Sequence, residues 1–162
     1  MITVFNSSPL IFLSKLNVID QSLQLFPKII VPSYVKKEIL QKEDITSDKL
    51  NDLVKTNNVI VIQVKNLRMF EALCRKLGKG ESEAIVLAIE QSAHLVILDD
   101  HVARAEATRI GLDVKGTLGI IRRLLDLDVI QYDLDELYRD LMEMKFRIKR
   151  GIFNEVFKRS VL

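Results

Sequence analysis

The stretch Gly80-Glu-Ser-Glu-Ala-Ile-Val-Leu-Ala-Ile-Glu-Gln-Ser-Ala-His-Leu-Val-Ile-Leu-Asp-Asp100 decides the fold. Gly78-Lys-Gly80 breaks the preceding pattern, and from Ala84 to Ile89 the segment is apolar on nearly every helical side. This predicts a deeply buried helix from Glu81 to about Ser92. His94 to Leu98 is a short apolar run with β-branched residues, read as a strand, and it stops on two adjacent acids, Asp99 and Asp100. A buried helix feeding a continuous apolar strand is the signature of a parallel sheet covered on both faces.

The alternation continues outward from this unit. Toward the N-terminus, Ile2 to Phe5, Lys28 to Val31 and Val59 to Ile62 read as strands. Ser8 before Pro9 reads as an N-cap, with helix to about Leu16 and a second short helix over about Val18 to Leu25. Pro32-Ser33 opens a helix through about Lys42, and further helices are predicted over Ser47 to Lys55 and Asn66 to Lys76. Toward the C-terminus, the helix after Asp100 runs to about Ile110 and closes on Gly111. Leu112 to Val114 is a fifth strand, Gly116-Thr117 opens a helix to about Leu127, and two helices follow from Asp133 with a turn near Arg147 to Arg150. The expected architecture is a three-layer α/β/α domain over residues 1–162, with a central parallel sheet of about five strands, right-handed crossovers and C-terminal helices from about 133.

Composition narrows the function classes. With 24 Lys+Arg against 22 Asp+Glu the net charge is +2, so a polyanion partner is neither required nor excluded. An apolar fraction of 48% with 28% charged residues is wrong for a disordered chain. The single cysteine, Cys74, rules out a disulfide framework and a thiolate zinc cluster. The longest apolar runs fall far short of the roughly 20 residues a membrane helix needs. The N-terminus has neither a basic n-region nor a small-residue cleavage site. The expectation is a cytoplasmic protein in a reducing compartment, with no membrane partner.

In a sheet of this kind, function collects beyond the carboxyl ends of the strands. The first strand ends on Asn6 and the fourth on Asp99-Asp100. Neighbouring carboxylates repel, and a divalent cation such as Mg²⁺ or Mn²⁺ relieves that repulsion; the bland alternative is that both acids cap the next helix. Glu38 shares a helical face with Val35, Ile39 and Lys42, which puts an acid on or beside an apolar stripe. Glu81 and Glu83 open the buried helix; two residues apart they point in different directions, so one of them is expected to enter a site.

These pieces, in this order, resemble the PIN domain, in particular the VapC-like branch of prokaryotic toxin–antitoxin systems. The resemblance runs over roughly Met1 to Leu127. It is carried by Asn6-Ser-Ser-Pro-Leu10, Val31-Pro32 with its helix bearing Glu38, Gly80-Glu-Ser-Glu-Ala-Ile85, Leu95-Val-Ile-Leu-Asp-Asp100 and Gly111-Leu-Asp-Val-Lys-Gly-Thr-Leu-Gly119. It implies three or four acids holding Mg²⁺ or Mn²⁺ and hydrolysing RNA phosphodiester bonds. The first acid position then falls on Asn6, the second on Glu38, the third on Glu83 and the fourth on Asp99 or Asp100. Ser8 matches a small hydroxyl residue near the metal water, and Glu81 plays a supporting part. The departure is Asn6, which offers an oxygen but no charge where the family pattern has Asp.

Two functions follow from the resemblance. One is a metal-dependent endoribonuclease in which Glu38, Glu83 and Asp99 or Asp100 are ligands and Asn6 a weak fourth. RNA is then held through its phosphates by Lys79, Arg104 and the tail residues Lys145, Arg147, Lys149 and Arg150. The other is a catalytically impaired PIN-like module that binds RNA or a protein. Partners implied by the resemblance are a second copy of the chain and a small antitoxin that places an Arg among the acids. The apolar residues Met142, Met144, Phe146, Ile152, Phe153, Val156 and Phe157 are candidates for that surface. His101, beside the acid pair, is a weaker candidate for contact with substrate or metal, and His94 reads as structural. A phosphoacceptor receiver domain is disfavoured because Asn6-Ser7 and Ile62-Gln63 stand where it needs acids, and no P-loop or dinucleotide glycine motif occurs.

Overall fold

Five strands, β1 (Ile2–Phe5), β2 (Lys28–Pro32), β3 (Val59–Ile62), β4 (Leu95–Ile97) and β5 (Val114–Lys115), pair in parallel in the order β3-β2-β1-β4-β5. This computed structural model describes residues 1–158, so the end of the expected domain, 159–162, lies outside the described residues. Along each strand successive side chains enter opposite cores. Phe5, Ile29, Val31, Val59 and Ile97 belong to one, and Val4, Ile30, Val96 and Leu98 to the other. Because both faces are covered, the strands are apolar apart from Thr3 and the end residues Lys28 and Lys115, which is why they read as runs and not as alternations.

The first core is roofed by α1 (Ser7–Lys15), α2 (Ile19–Ser22), α3 (Ser33–Leu40), α4 (Ile45–Lys55), α8 (Thr117–Asp126), α9 (Leu134–Glu143) and α10 (Arg150–Phe157). The second is roofed by α5 (Leu67–Leu73), α6 (Lys79–Glu90) and α7 (His101–Ile110). The expected three-layer α/β/α architecture with a five-stranded parallel sheet is what the chain forms. In α6, Ile85, Val86 and Leu87 are fully buried, each stabilising the fold by about 1.5–3 kcal/mol, so the first turn of α6 is held in one place.

Several element ends move from their expected positions. The first helix starts at Ser7, not after Ser8, with Asn6 as N-cap; Pro9 still lies in the first turn, where a missing N–H costs nothing. The fourth helix starts at Ile45 because Asp44 accepts from the Thr46 and Ser47 N–H groups while Ser47 closes a capping box. The fifth strand is Val114–Lys115 and not Leu112 to Val114, since the pairing register with Val96 and Ile97 begins at Val114. Of the tail apolar residues, Phe153 and Phe157 are buried in the core, Met142, Met144, Phe146 and Val156 pack against it, and Ile152 is 55% exposed.

The strand order places the topological switch at β1. The chain runs from β1 outward through β2 and β3, then crosses to β4 and β5 on the other side. The carboxyl ends of β1 and β4 therefore flank the crevice where such sheets bind ligands.

Candidate functional site

Asn6 follows β1 directly and occupies the N-cap of α1, a place where its side chain would ordinarily accept a backbone N–H. Here it makes no such bond. Its Nδ2 donates instead to Glu81 Oε1 at 3.4 Å, and its Oδ1 is buried with no hydrogen-bond partner. The residue is 1% exposed. An unpartnered buried amide oxygen is unfavourable by about 1–3 kcal/mol, so this one calls for an explanation.

The explanation starts at Gly80. A Cβ at this position would lie 3.0 Å from Asn6 Oδ1 and 3.2 Å from Glu38 Oε2. The absent side chain leaves a gap onto which an amide oxygen and a carboxylate oxygen both face. Glu38 reaches it from α3, half-buried as its place beside the apolar stripe predicts. Glu81, also half-buried in the first turn of α6, folds back against Gly78, where a Cβ would clash with Glu81 Oε2 at 2.2 Å. Asn6 and Glu38 thus meet at Gly80, and Glu81 touches Asn6 from its Nδ2 side.

Glu83 is placed differently. It is 5% exposed, and its Oε2 accepts the Tyr34 N–H at 2.8 Å, with the Val35 N–H as a second backbone partner. These are orphan donors in the first turn of α3, whose N-cap is Pro32 and has no capping side chain. Glu83 caps α3 from another helix. Burial pushes its carboxyl above the usual range, and the two backbone N–H groups pull it back in part. The acid beside Asn6 is therefore Glu81, in the place where Glu83 was expected.

The acids after β4 divide in the same way. Asp99 accepts Ser8 Oγ at 2.9 Å, Thr117 N–H at 2.7 Å and Thr117 Oγ at 2.6 Å. It lies at the ends of β1 and β4 and also touches the start of α8. Asp100 is exposed and caps α7 through the Ala103 N–H at 2.8 Å. That capping role was the bland alternative, and it holds for Asp100. Gly116 and Thr117 were read as a helix start and as part of the Gly111–Gly119 resemblance, with no site role given to them. A Cβ on Gly116 would approach Asp99 Oδ1 at 3.1 Å and Arg104 Nη1 at 3.3 Å, so the Arg104 guanidinium stands beside Asp99.

The expected phosphate-binding residues separate. Arg104 is exposed and, with Lys145, Arg147 and Lys149, lines a groove that also includes Asp99 and His101. Arg150 is engaged elsewhere, paired with Asp135 and stacked over Tyr138 at 4.5 Å. Lys79 lies 6.0 Å over the Tyr34 ring at the mouth of α6. His94 Nδ1 accepts the Ile2 N–H at 3.2 Å, the structural part expected of it.

Among the described residues, no three His, Cys, Asp or Glu side chains stand close enough to form a closed metal set. The oxygens that converge at Gly80 are the Asn6 amide oxygen and one Glu38 carboxylate oxygen. Both are hard donors of the kind Mg²⁺ and Mn²⁺ take, and one of them has no other partner, so these residues fit such an ion.

A parallel α/β sheet with acids gathered at its switch point defines a class of α/β domains whose ligand site lies beyond the strand ends. The family model described as PIN domain (DUF3368) matches residues 2–161, and the chain belongs to that family. The PIN domain is generally a nuclease fold, commonly hydrolytic, and generally uses divalent metals. Among solved structures, the chain is similar to a PilT N-terminus domain protein from the hyperthermophilic archaeon Sulfolobus solfataricus. That match has a TM-score of 0.54 at 21% identity over 82% of this chain and 98% of the other. Among curated proteins there is no match. Among the described residues, no helix is long and apolar enough to cross a membrane.

Proposed function

We propose that this PIN domain is a metal-dependent endoribonuclease of the VapC-like toxin type, with Asn6, Glu38, Glu81 and Asp99 as its working residues. The observation that carries the reading is the buried, partnerless Asn6 Oδ1 facing the Glu38 carboxylate across Gly80. Two electron-rich oxygens sharing one gap need a cation or a donor between them.

Asn6, Glu38 and Glu81 would hold Mg²⁺ or Mn²⁺. When bound, the ion supplies Lewis acidity toward a phosphoryl oxygen and a water acidic enough to attack it. The remaining work belongs to the chain. Glu38 and Glu81 bring negative charge from two separate helices. Asn6 is oriented by its own hydrogen bond to Glu81, which turns its oxygen toward the gap. Ser8 and Thr117 lock Asp99 with three of the roughly four acceptor positions a carboxylate offers. The remaining position is available to orient a water as a base. Arg104, beside Asp99, supplies positive charge for a phosphate.

The same proposal includes cytoplasmic location, a homodimer, and a small antitoxin that silences the site by placing an Arg guanidinium among the acids. Asn6 supports a second reading. It contributes no charge, so the site holds an ion less tightly than one built on four carboxylates, and a binding module without turnover is the alternative.

An RNA cleavage assay with Mg²⁺ or Mn²⁺ tests the proposal. Cleavage by the native chain and its loss in Glu81→Gln and Asp99→Asn support the nuclease. No cleavage by the native chain under either metal, together with retained RNA binding, favours the module.

A further inference from the structure

Glu83 is buried near the start of α6, and among the described residues it makes no hydrogen bond to Asn6, Glu38 or Glu81. Its carboxylate takes the Tyr34 and Val35 N–H groups of α3 instead. The turn it holds leads straight to Glu38. Val35 and Glu38 are three residues apart on α3 and share one face of it. Val35 also sits on Gly80, where a Cβ would lie 3.7 Å from Val35 Cγ2 and 3.2 Å from Glu38 Oε2. The start of α3 is thus fixed to the start of α6 at two points. The Glu83 carboxylate holds its backbone, and the bare backbone of Gly80 lets its side chains come close.

Among the described residues no other side chain holds that backbone. α3 leaves the buried end of β2 directly, with Pro32 as N-cap, no capping side chain and no acid in its first turn. The helix has eight residues and spans about 12 Å, so a tilt at its start displaces Glu38, its sixth residue. The far end of α6 offers a comparison. Glu90 lies seven residues beyond Glu83, on nearly the same face, and accepts the Lys65 and Asn66 N–H groups at 2.8 and 2.6 Å. α6 therefore grips two segments by the same means, a Glu carboxylate over two consecutive N–H groups. The Glu83 grip falls on an element that faces the gap at Gly80, whereas Glu90 is ten residues, or about 15 Å of helix, away from Gly80.

We infer that Glu83 is a positioning residue: it seats α3 on α6 and thereby sets the distance from the Glu38 carboxylate to Asn6 Oδ1 across Gly80. The inference rests on the metal-site reading only for what Glu38 does at that distance. A ligand and a positioner respond differently to substitution. A ligand acts through its charge, which Gln removes as fully as Ala does. A positioner acts through its acceptor oxygens, and Gln keeps one of them.

The test uses the full chain as native, Glu83→Ala, Glu83→Gln and Glu90→Ala, each kept well below its own unfolding midpoint. Mn²⁺ affinity is read from the electron paramagnetic resonance of the free ion. Glu83→Ala should bind Mn²⁺ about 10–100-fold more weakly, the loss expected when a group that orients a ligand is removed. Glu83→Gln should recover most of that loss, whereas Glu81→Gln should not recover the loss seen in Glu81→Ala. Glu90→Ala should bind as the native chain does. A second readout needs no metal: the ¹⁵N–¹H signal of the Asn6 side-chain amide, recorded in EDTA. It should move in Glu83→Ala, return toward its native position in Glu83→Gln and stay in place in Glu90→Ala. Where the alanine variant does not hold its fold, Glu83→Met removes the oxygens and keeps most of the volume. Equal loss of affinity in Glu83→Gln and Glu83→Ala overturns the inference in favour of a ligand. Equal loss in Glu90→Ala overturns it in favour of a general effect of stability. An Asn6 signal that ignores Glu83→Ala overturns it outright. The metal reading fails separately: if the native chain binds no Mn²⁺, that reading falls, and the Asn6 signal alone decides the positioning role.

Discussion

Two acid pairs, Glu81 with Glu83 and Asp99 with Asp100, stand at the carboxyl edge of the sheet, and each pair divides its labour. Glu83 and Asp100 accept backbone N–H groups at the first turns of α3 and α7. Glu81 and Asp99 face the switch point between β1 and β4. The pairs differ in how the cleft member is held. Asp99 is pinned by three short hydrogen bonds, whereas Glu81 has one long contact, to Asn6. The comparison teaches that an acid's neighbours, not its place in a motif, decide whether it caps a helix or faces the cleft. It also predicts that the two sides of the cleft respond differently to substitution.

The largest expected effect is on cleavage. Glu81→Gln and Asp99→Asn should each reduce the cleavage rate by more than the ~10–100-fold that loss of an outer-sphere partner costs a metal site. Asp100→Asn, measured in the same gel assay, should cleave like the native chain. An equal loss in Asp100→Asn would break the division of labour.

Stability should show the converse. Glu83→Ala strands two N–H groups at the start of α3 and should lower unfolding free energy by about 1–3 kcal/mol in a urea titration. Asp100→Ala, the loss of an ordinary exposed N-cap, should cost about 1 kcal/mol. Glu81→Ala should cost less than either. A large destabilisation by Glu81→Ala would place that residue with the caps.

Gly80→Ala separates space from charge. Alanine is the better helix former by about 1 kcal/mol, which the crowding of its Cβ at 3.0 Å from Asn6 Oδ1 and 3.2 Å from Glu38 Oε2 offsets, so the melting temperature should change little. The added Cβ occupies the gap between Asn6 Oδ1 and Glu38 Oε2, so Mn²⁺ affinity, followed by electron paramagnetic resonance of the free ion, should fall. Unchanged affinity would mean that the gap holds nothing.

Glu106 gives a reference carboxylate distant from this division. Hydrogen bonds from Arg109 and Lys76 hold its carboxyl down at about 2, below the usual 4.5. With the folded value depressed, its contribution to stability is complete above pH 4.5 and disappears as pH falls toward about 2. Glu106→Gln should therefore be less stable than the native chain at neutral pH. The two chemical-denaturation curves should converge through that acidic window.

Much of the fold was legible because its signal is local. Five apolar runs separated by helical periods leave little choice but a parallel sheet, and both faces of β1, β2 and β4 are indeed covered. The site was legible only in outline. Asn6 and Asp99 stand at strand ends that the sequence marks, and Glu38 stands beside an apolar helical stripe. Spacing could not separate Glu81 from Glu83, because what separates them is Pro32, 49 positions before Glu81, whose inability to cap α3 recruits Glu83. Thr117 was missed for a similar reason: its contacts with Asp99 exist only once β5 lies beside β4. The Gly111–Gly119 segment was the available signal, and it was read as a helix start and a mark of resemblance, not as part of the site.

The most direct test of the central claim is a crystal structure of the native chain soaked in Mn²⁺, with the ion located by its anomalous scattering. The account predicts one peak in the cleft at Gly80, within coordinating reach of Asn6 Oδ1, Glu38 and Glu81. A cleft that stays empty at saturating Mn²⁺, or a peak held by Glu83 or Asp100 in its place, would contradict it.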